Sequence, residues 1–120
     1  SVVASAARTV TGNSADLNTV PGAVGALFTL DVTAASGTSP TLDVKIQGKD
    51  PSTGKYTDIT GAAFAQKTGI TNDTLTIRVS MTVVANRSVS NVLPRTYRVA
   101  WTIGGTTPSF TFQVGASYVP

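Results

Sequence analysis

Six aspartates are the only carboxylate side chains in this chain, which has no histidine, no cysteine and no glutamate. General acid–base work draws mainly on His and Glu, nucleophilic catalysis on a Ser, Cys or Lys beside a base, and zinc on Cys and His. Little of that equipment remains. Asp50, Asp58 and Asp73 lie in or beside turn-like sequence, which is where a calcium loop places its ligands. Calcium needs several oxygens converging from one loop, as in a D-x-D-x-D-G series, and no such spacing occurs. The aspartates therefore read as turn-stabilising and solvated. Asp31 and Asp43 fall on polar strand faces, placed to pair with Lys or Arg of a neighbouring strand at about 0.2–1 kcal/mol per pair. No catalytic residue, cofactor site or metal site is assigned, and the expectation is a protein that is not an enzyme.

Other residue types admit a contact role. Arg95 and Arg98 flank Tyr97 near Trp101, and Arg and aromatic residues are over-represented at interaction hot spots. Trp101 reads as a core residue, while Arg98 is kept as a candidate partner contact. Gly104-Gly105 reads as a tight turn and not a phosphate cradle, because no helix follows to present free N–H groups. Asn72-Asp73-Thr74 and Asn86-Arg87-Ser88 match the N-glycosylation pattern, which chance supplies readily in a Thr- and Ser-rich chain.

The elements that must position these residues follow from composition and periodicity. At 120 residues the chain is the size of one domain. Charged residues make up only 12%, against roughly a quarter in ordinary soluble domains, so the surface must be largely neutral and rich in Thr, Ser, Asn and Gln. Few charges need desolvating when two such faces meet, which favours packing into an assembly. Nine Lys and Arg against six Asp give a net charge of +3, scattered from Arg8 to Arg98. Nucleic-acid binding calls for a basic stripe interleaved with aromatics, and none is present. No apolar run approaches the roughly 18 residues of a membrane span, and the start lacks the basic-then-apolar plan of a signal peptide.

Two-residue alternation dominates the pattern. Residues 41–59 read as one β-hairpin: Leu42, Val44 and Ile46 alternate with Asp43, Lys45 and Gln47, and a turn at 50–54 leads into Tyr56-Thr57-Asp58-Ile59. Phe28, Leu30 and Val32 predict a strand ending at residues 34–37. Phe64 is a candidate core anchor. A long strand through Leu75, Ile77, Val79 and Met81 is expected after a turn at Asn72-Asp73, with a loop over 86–94. A last hairpin is predicted with Tyr97, Val99, Trp101 and Ile103 on its first strand, a turn at 104–108, and Phe110, Phe112, Val114 and Ala116 on its return. Residues 1–17, poor in large apolar side chains, read as an edge strand or an extended arm, and residues 18–120 as the domain proper. The expected fold is all-β, a single antiparallel β-sandwich of seven to eight strands, immunoglobulin-like or jelly-roll.

Two blocks, residues 37–48 with the Asp-containing turn and aromatic-x-Asp-Ile return that follow, and residues 93–99 with 104–110, resemble a family of small β-sandwich structural proteins of tailed bacteriophages. The resemblance covers about half of the chain and brings no catalytic motif. It implies a virion component, a capsid decoration protein that sits on the outer surface of the shell and cements neighbouring subunits of the major capsid protein, commonly as a homo-oligomer such as a trimer. Neither nucleic acid nor membrane is an expected partner. The partner contacts expected under this reading are Val2, Val3, Arg8 and Val10 of the N-terminal segment, with Arg98. The alternative is a tail or fibre component acting as a glycan- or receptor-binding module; it needs solvent-facing aromatics, for which the alternation leaves Tyr56 and Tyr118.

Overall fold

The computed structural model describes residues 2–120, so Ser1 lies outside the described residues. Among these residues the chain is all-β and forms one hydrogen-bonded sheet of eight strands. They are β1 (Val3–Arg8), β2 (Gly12–Asn13), β3 (Leu17–Asn18), β4 (Gly25–Lys49), β5 (Tyr56–Ala63), β6 (Thr71–Ile77), β7 (Ser88–Val89) and β8 (Thr96–Val119).

Two long strands form its spine. β4 and β8 run antiparallel along almost their whole length, from Gly25 opposite Val119 to Gly48 opposite Tyr97. Outside them the sheet has two halves. In the first, β6 lies against the start of β4 and β1 against the end of β8. In the second, β5 lies against the end of β4, and β2 and β3 against the start of β8. All pairings are antiparallel except the short one between β6 and β7, which is parallel.

The halves meet at a corner where both spine strands bend. The register between β4 and β8 is interrupted at 32–34, 36–38 and 38–41. Gly37 and Gly105 have φ of 114° and 111°, and Ser39 and Thr107 both have φ of 47°, a left-handed backbone that residues other than glycine rarely adopt. Past this corner the halves face each other across one core. Phe28 of the first half meets Tyr97 of the second edge to face at 5.6 Å, and Trp101 of the second meets Phe112 of the first at 5.5 Å. The molecule measures 42 × 30 × 21 Å, and its short dimension suits two sheet layers about 10 Å apart with their outer side chains.

The alternation placed the core correctly. Phe28, Leu30, Val32, Leu42, Val44, Ile46, Tyr97, Val99, Phe110, Phe112 and Val114 are all buried, as are Phe64 and Trp101. The hairpin of residues 41–59 also forms: Asp50 N–H donates to Lys55 O, and Gly48 and Lys49 pair with Thr57 and Tyr56.

Three expectations are corrected. Residues 97–103 and 110–116 do not pair with each other; the first run pairs with β4 residues 42–48 and the second with β4 residues 28–34, so the Gly-Gly-Thr-Thr-Pro segment is a bend within β8 and not a hairpin turn. By the same bend, the strand through Phe28 continues past Gly37 instead of ending there. Asn72 and Asp73 lie within β6, opposite Asp31 and Leu30, and that strand stops at Ile77, leaving Val79 46% exposed. The first two share a reason: Gly and Pro mark departures from regular backbone, and a bend or a bulge uses the same residues as a turn; Asn72 and Asp73 instead sit in unbroken register with β4.

Candidate functional site

The N-terminal segment belongs to the sheet. β1 pairs with residues 110–114 of β8, and β2 and β3 continue along the same edge past the corner. Val3 is buried in the core, opposite Val114, and Val2 packs against it. Arg8 locks this edge. Its guanidinium donates to the carbonyls of Ala4, Ala6 and Phe112 and stacks over the rings of Trp101 and Phe112, at 4.9 and 4.5 Å from their centroids. Burial lowers the Arg8 pKa from its ordinary value. Of the N-terminal residues expected at a partner contact, Val3 thus faces inward, Arg8 is engaged within its own chain, and Val10, between β1 and β2, is 70% exposed.

Arg98, on β8, belongs to a polar cluster on the second half. β4 places Gln47 directly opposite it, and its Nε donates to Gln47 Oε1 at 2.8 Å. The guanidinium sits 3.7 Å over the Tyr56 ring. Tyr56 in turn donates its hydroxyl to Asp16, and Lys49 Nζ reaches the same carboxylate at 2.7 Å. Hydrogen bonds from Lys49 and then Tyr56 lower the Asp16 pKa, and Asp16 raises that of Lys49. Beside them Asp58 accepts from Gln47 and Lys45, which also lowers its pKa. The cluster fastens β5 and the chain between β2 and β3 onto the spine. Asp16 and Tyr56 could not be grouped from the sequence, since they lie 40 residues apart and meet only through strand order.

The remaining aspartates are also engaged. Asp50 closes its turn by accepting from Ser52 N–H and Thr53 Oγ1, the role expected of it. Asp31 and Asp43 were expected to face Lys or Arg; each accepts instead from an amide, Gln113 and Gln66 respectively. Lys67 and Asp73 form the least exposed ion pair, 2.6 Å apart with side chains 11% and 14% exposed. Among the described residues no three metal-ligating side chains come together.

Aromatic residues needed by a glycan platform are engaged too. Tyr56 lies under Arg98, and Tyr118 shares a 2.6 Å hydroxyl–hydroxyl hydrogen bond with Tyr97, whose pKa is raised by burial and then by that bond. An open polar groove of about 390 Å³ lies on the outer face of the first half, lined by Thr29, Asp31, Asn72, Gln113 and Gly115. Its lining offers hydrogen-bond donors and acceptors, with Asp31 as its charged group. Comparison with family models, with curated proteins and with solved structures finds no match to this chain.

Proposed function

We propose that this chain is a non-enzymatic structural protein of a tailed-phage virion, a capsid decoration protein that binds the outer surface of the major capsid shell and stabilises it. The observation that carries this reading is how the charged side chains are spent. Asp16, Asp58 and Asp73 are each tied to a lysine, and Asp31, Asp43 and Asp50 to an amide or a turn, so each aspartate is engaged within the fold. What is left outside is a broad, mostly uncharged sheet surface dominated by Thr, Ser and Asn, which meets another protein face at a small desolvation cost. The resemblance of residues 37–48, 93–99 and 104–110 supplies the virion context.

The N-terminal contact is narrowed under this reading. Because Val3 and Arg8 hold the sheet together, the residues of that segment free to touch a shell are Val10 and the outward side chains of β1. The test is electron microscopy of shells of the phage that encodes the chain, prepared without it and then mixed with the purified protein. Added density at regular positions on the outer surface, into which the bent sheet fits, supports the reading; shells that stay bare at micromolar protein overturn it.

A further inference from the structure

The segment between β6 and β7 carries a feature that the reading above does not use. Val83 and Val84 are 68% and 47% exposed, and Val79 and Val92 beside them are 46% and 50% exposed. Exposed valines on a loose loop would carry no weight, but this loop is fastened in place. Ser88, whose side chain is the buried polar one among the described residues, donates to Thr82 O and accepts from Val84 N–H, and Val84 also bridges to the Ser88 backbone. Asn86 Nδ2 donates to Ala63 O of β5, and Ser80 and Asn86 are both held at positive φ, 64° and 61°. Strain and a buried hydroxyl are thus used to keep two valines pointing outward.

Beneath the valines lies a cavity of about 360 Å³ between this loop and β5, lined by Thr60, Gly61, Ala63, Val83, Val84 and Val89 among others. Gly61, at φ 78°, leaves its β5 wall without a side chain. The carboxylates near it are already paired, Asp58 of β5 with Lys45 and Gln47, which leaves arginines as its uncompensated charge. From residue 74 to residue 120 the chain has four arginines and no acidic residue, and Arg78 and Arg87 bracket the valine loop. Asp73, a carboxylate on which the Arg87 charge acts, is already paired with Lys67 at 2.6 Å. A second copy of the same crest would bring like charges together.

We infer that the crest formed by residues 78–92 and β5 is a docking site for an extended, acidic segment of a partner protein, an apolar side chain of which enters the Gly61–Val84 cavity while its carboxylates face Arg78 and Arg87. Preorganisation and charge complementarity act together here. The site does not depend on the partner being a capsid subunit.

The test is a ¹⁵N NMR titration of the full chain with three synthetic eight-residue peptides alternating Leu with Asp, Asn or Lys, and separately with phosphatidylglycerol vesicles. The Asp/Leu peptide is expected to shift the amides of residues 60–63 and 82–90, and to bind at least ten times more tightly than the Lys/Leu peptide. Arg78→Gln with Arg87→Gln should weaken it at least fivefold, while Val84→Ser, at an exposed position, should weaken it without altering the rest of the spectrum. Equal binding of all three peptides, shifts centred elsewhere, or a response to vesicles and not to the Asp/Leu peptide would overturn the inference. Failure of the purified protein to decorate shells would leave these measurements unaffected.

Discussion

Gly37 and Gly105 face each other's strands across the corner in matching positions. A Cβ on Gly37 would lie 2.8 Å from Thr107 O and 2.9 Å from Pro108 Cα, and one on Gly105 would lie 2.8 Å from Ser39 O and 2.9 Å from Pro40 Cα. The local sequences match as well, Gly37-Thr38-Ser39-Pro40 against Gly105-Thr106-Thr107-Pro108. The bend is therefore a local two-fold arrangement in which each strand supplies the glycine that lets the other's carbonyl approach.

Alanine at either glycine should destabilise the fold by about 1–3 kcal/mol, since it adds an unfavourable positive φ to a backbone clash. Gly22→Ala provides the control, because its φ of 84° carries the same strain but its Cβ would meet nothing within 4 Å. Urea unfolding should give a clearly larger loss at Gly37 and Gly105 than at Gly22. Equal losses at all three would show that close approach at the corner contributes nothing.

Arg8→Met keeps the aliphatic stem but removes the guanidinium that holds the Ala4, Ala6 and Phe112 carbonyls and stacks on two rings. Charged hydrogen bonds and cation–π contacts of this kind are worth about 1–3 kcal/mol together. Amide hydrogen exchange in β1 should accelerate roughly tenfold or more while β4 and the centre of β8 stay protected, because loss at an edge opens the edge first. Unchanged β1 exchange would mean that main-chain pairing alone retains the N-terminal strand.

Acid should weaken the protein in a defined window. Asp16, Asp50, Asp58 and Asp73 all have lowered pKa values in the fold. For Asp73, burial acts to raise the pKa, and the Lys67 hydrogen bond, the Thr74 N–H and the charges of Lys67 and Arg87 together outweigh it. A carboxyl whose folded pKa is depressed contributes stability that is complete above its unfolded value, roughly 3.9, and is lost as pH falls through the folded value. Thermal midpoints should thus be flat from pH 7 to about 5 and fall below about 4. Asp73→Asn should be less stable than the parent at pH 7, and the gap should narrow below pH 4; a gap that stays constant with pH would remove Asp73 from this account.

What could be read from the sequence was local. The inward rows of Leu42, Val44 and Ile46 and of Phe110, Phe112 and Val114 follow from alternation, because side-chain direction in a strand has period two whatever the strand pairs with. Asp50 was legible for the same reason, since its partners Ser52 and Thr53 are its neighbours. Partner choice is not local. Arg98 meeting Gln47, or Tyr56 meeting Asp16, depends on which strands adjoin, and that was set by a corner mistaken for two chain reversals. The near-repeat of Gly-Thr-Ser-Pro and Gly-Thr-Thr-Pro was the available signal: two like motifs that are not helix ends or hairpin tips can serve each other.

Cross-strand cysteines decide between the bent spine and the hairpin that the turn-like sequence suggests. Asp43 and Thr102 lie directly opposite on β4 and β8, so their Cα atoms fall within the 4.5–5.5 Å or so of antiparallel neighbours, inside the range a disulfide spans. Asp43→Cys with Thr102→Cys should therefore oxidise readily in the folded protein. In a hairpin turning at 104–108, Thr102 would instead lie beside Thr111 or a near neighbour. Thr111 is paired with Ala34 and Ala7, far along the spine from Thr102, so Thr102→Cys with Thr111→Cys should remain reduced under the same oxidant. Intact mass after alkylation reads both outcomes. A disulfide in the second variant but not the first would replace the bent ribbon with two independent hairpins, and the Gly37–Gly105 corner would have no structural role.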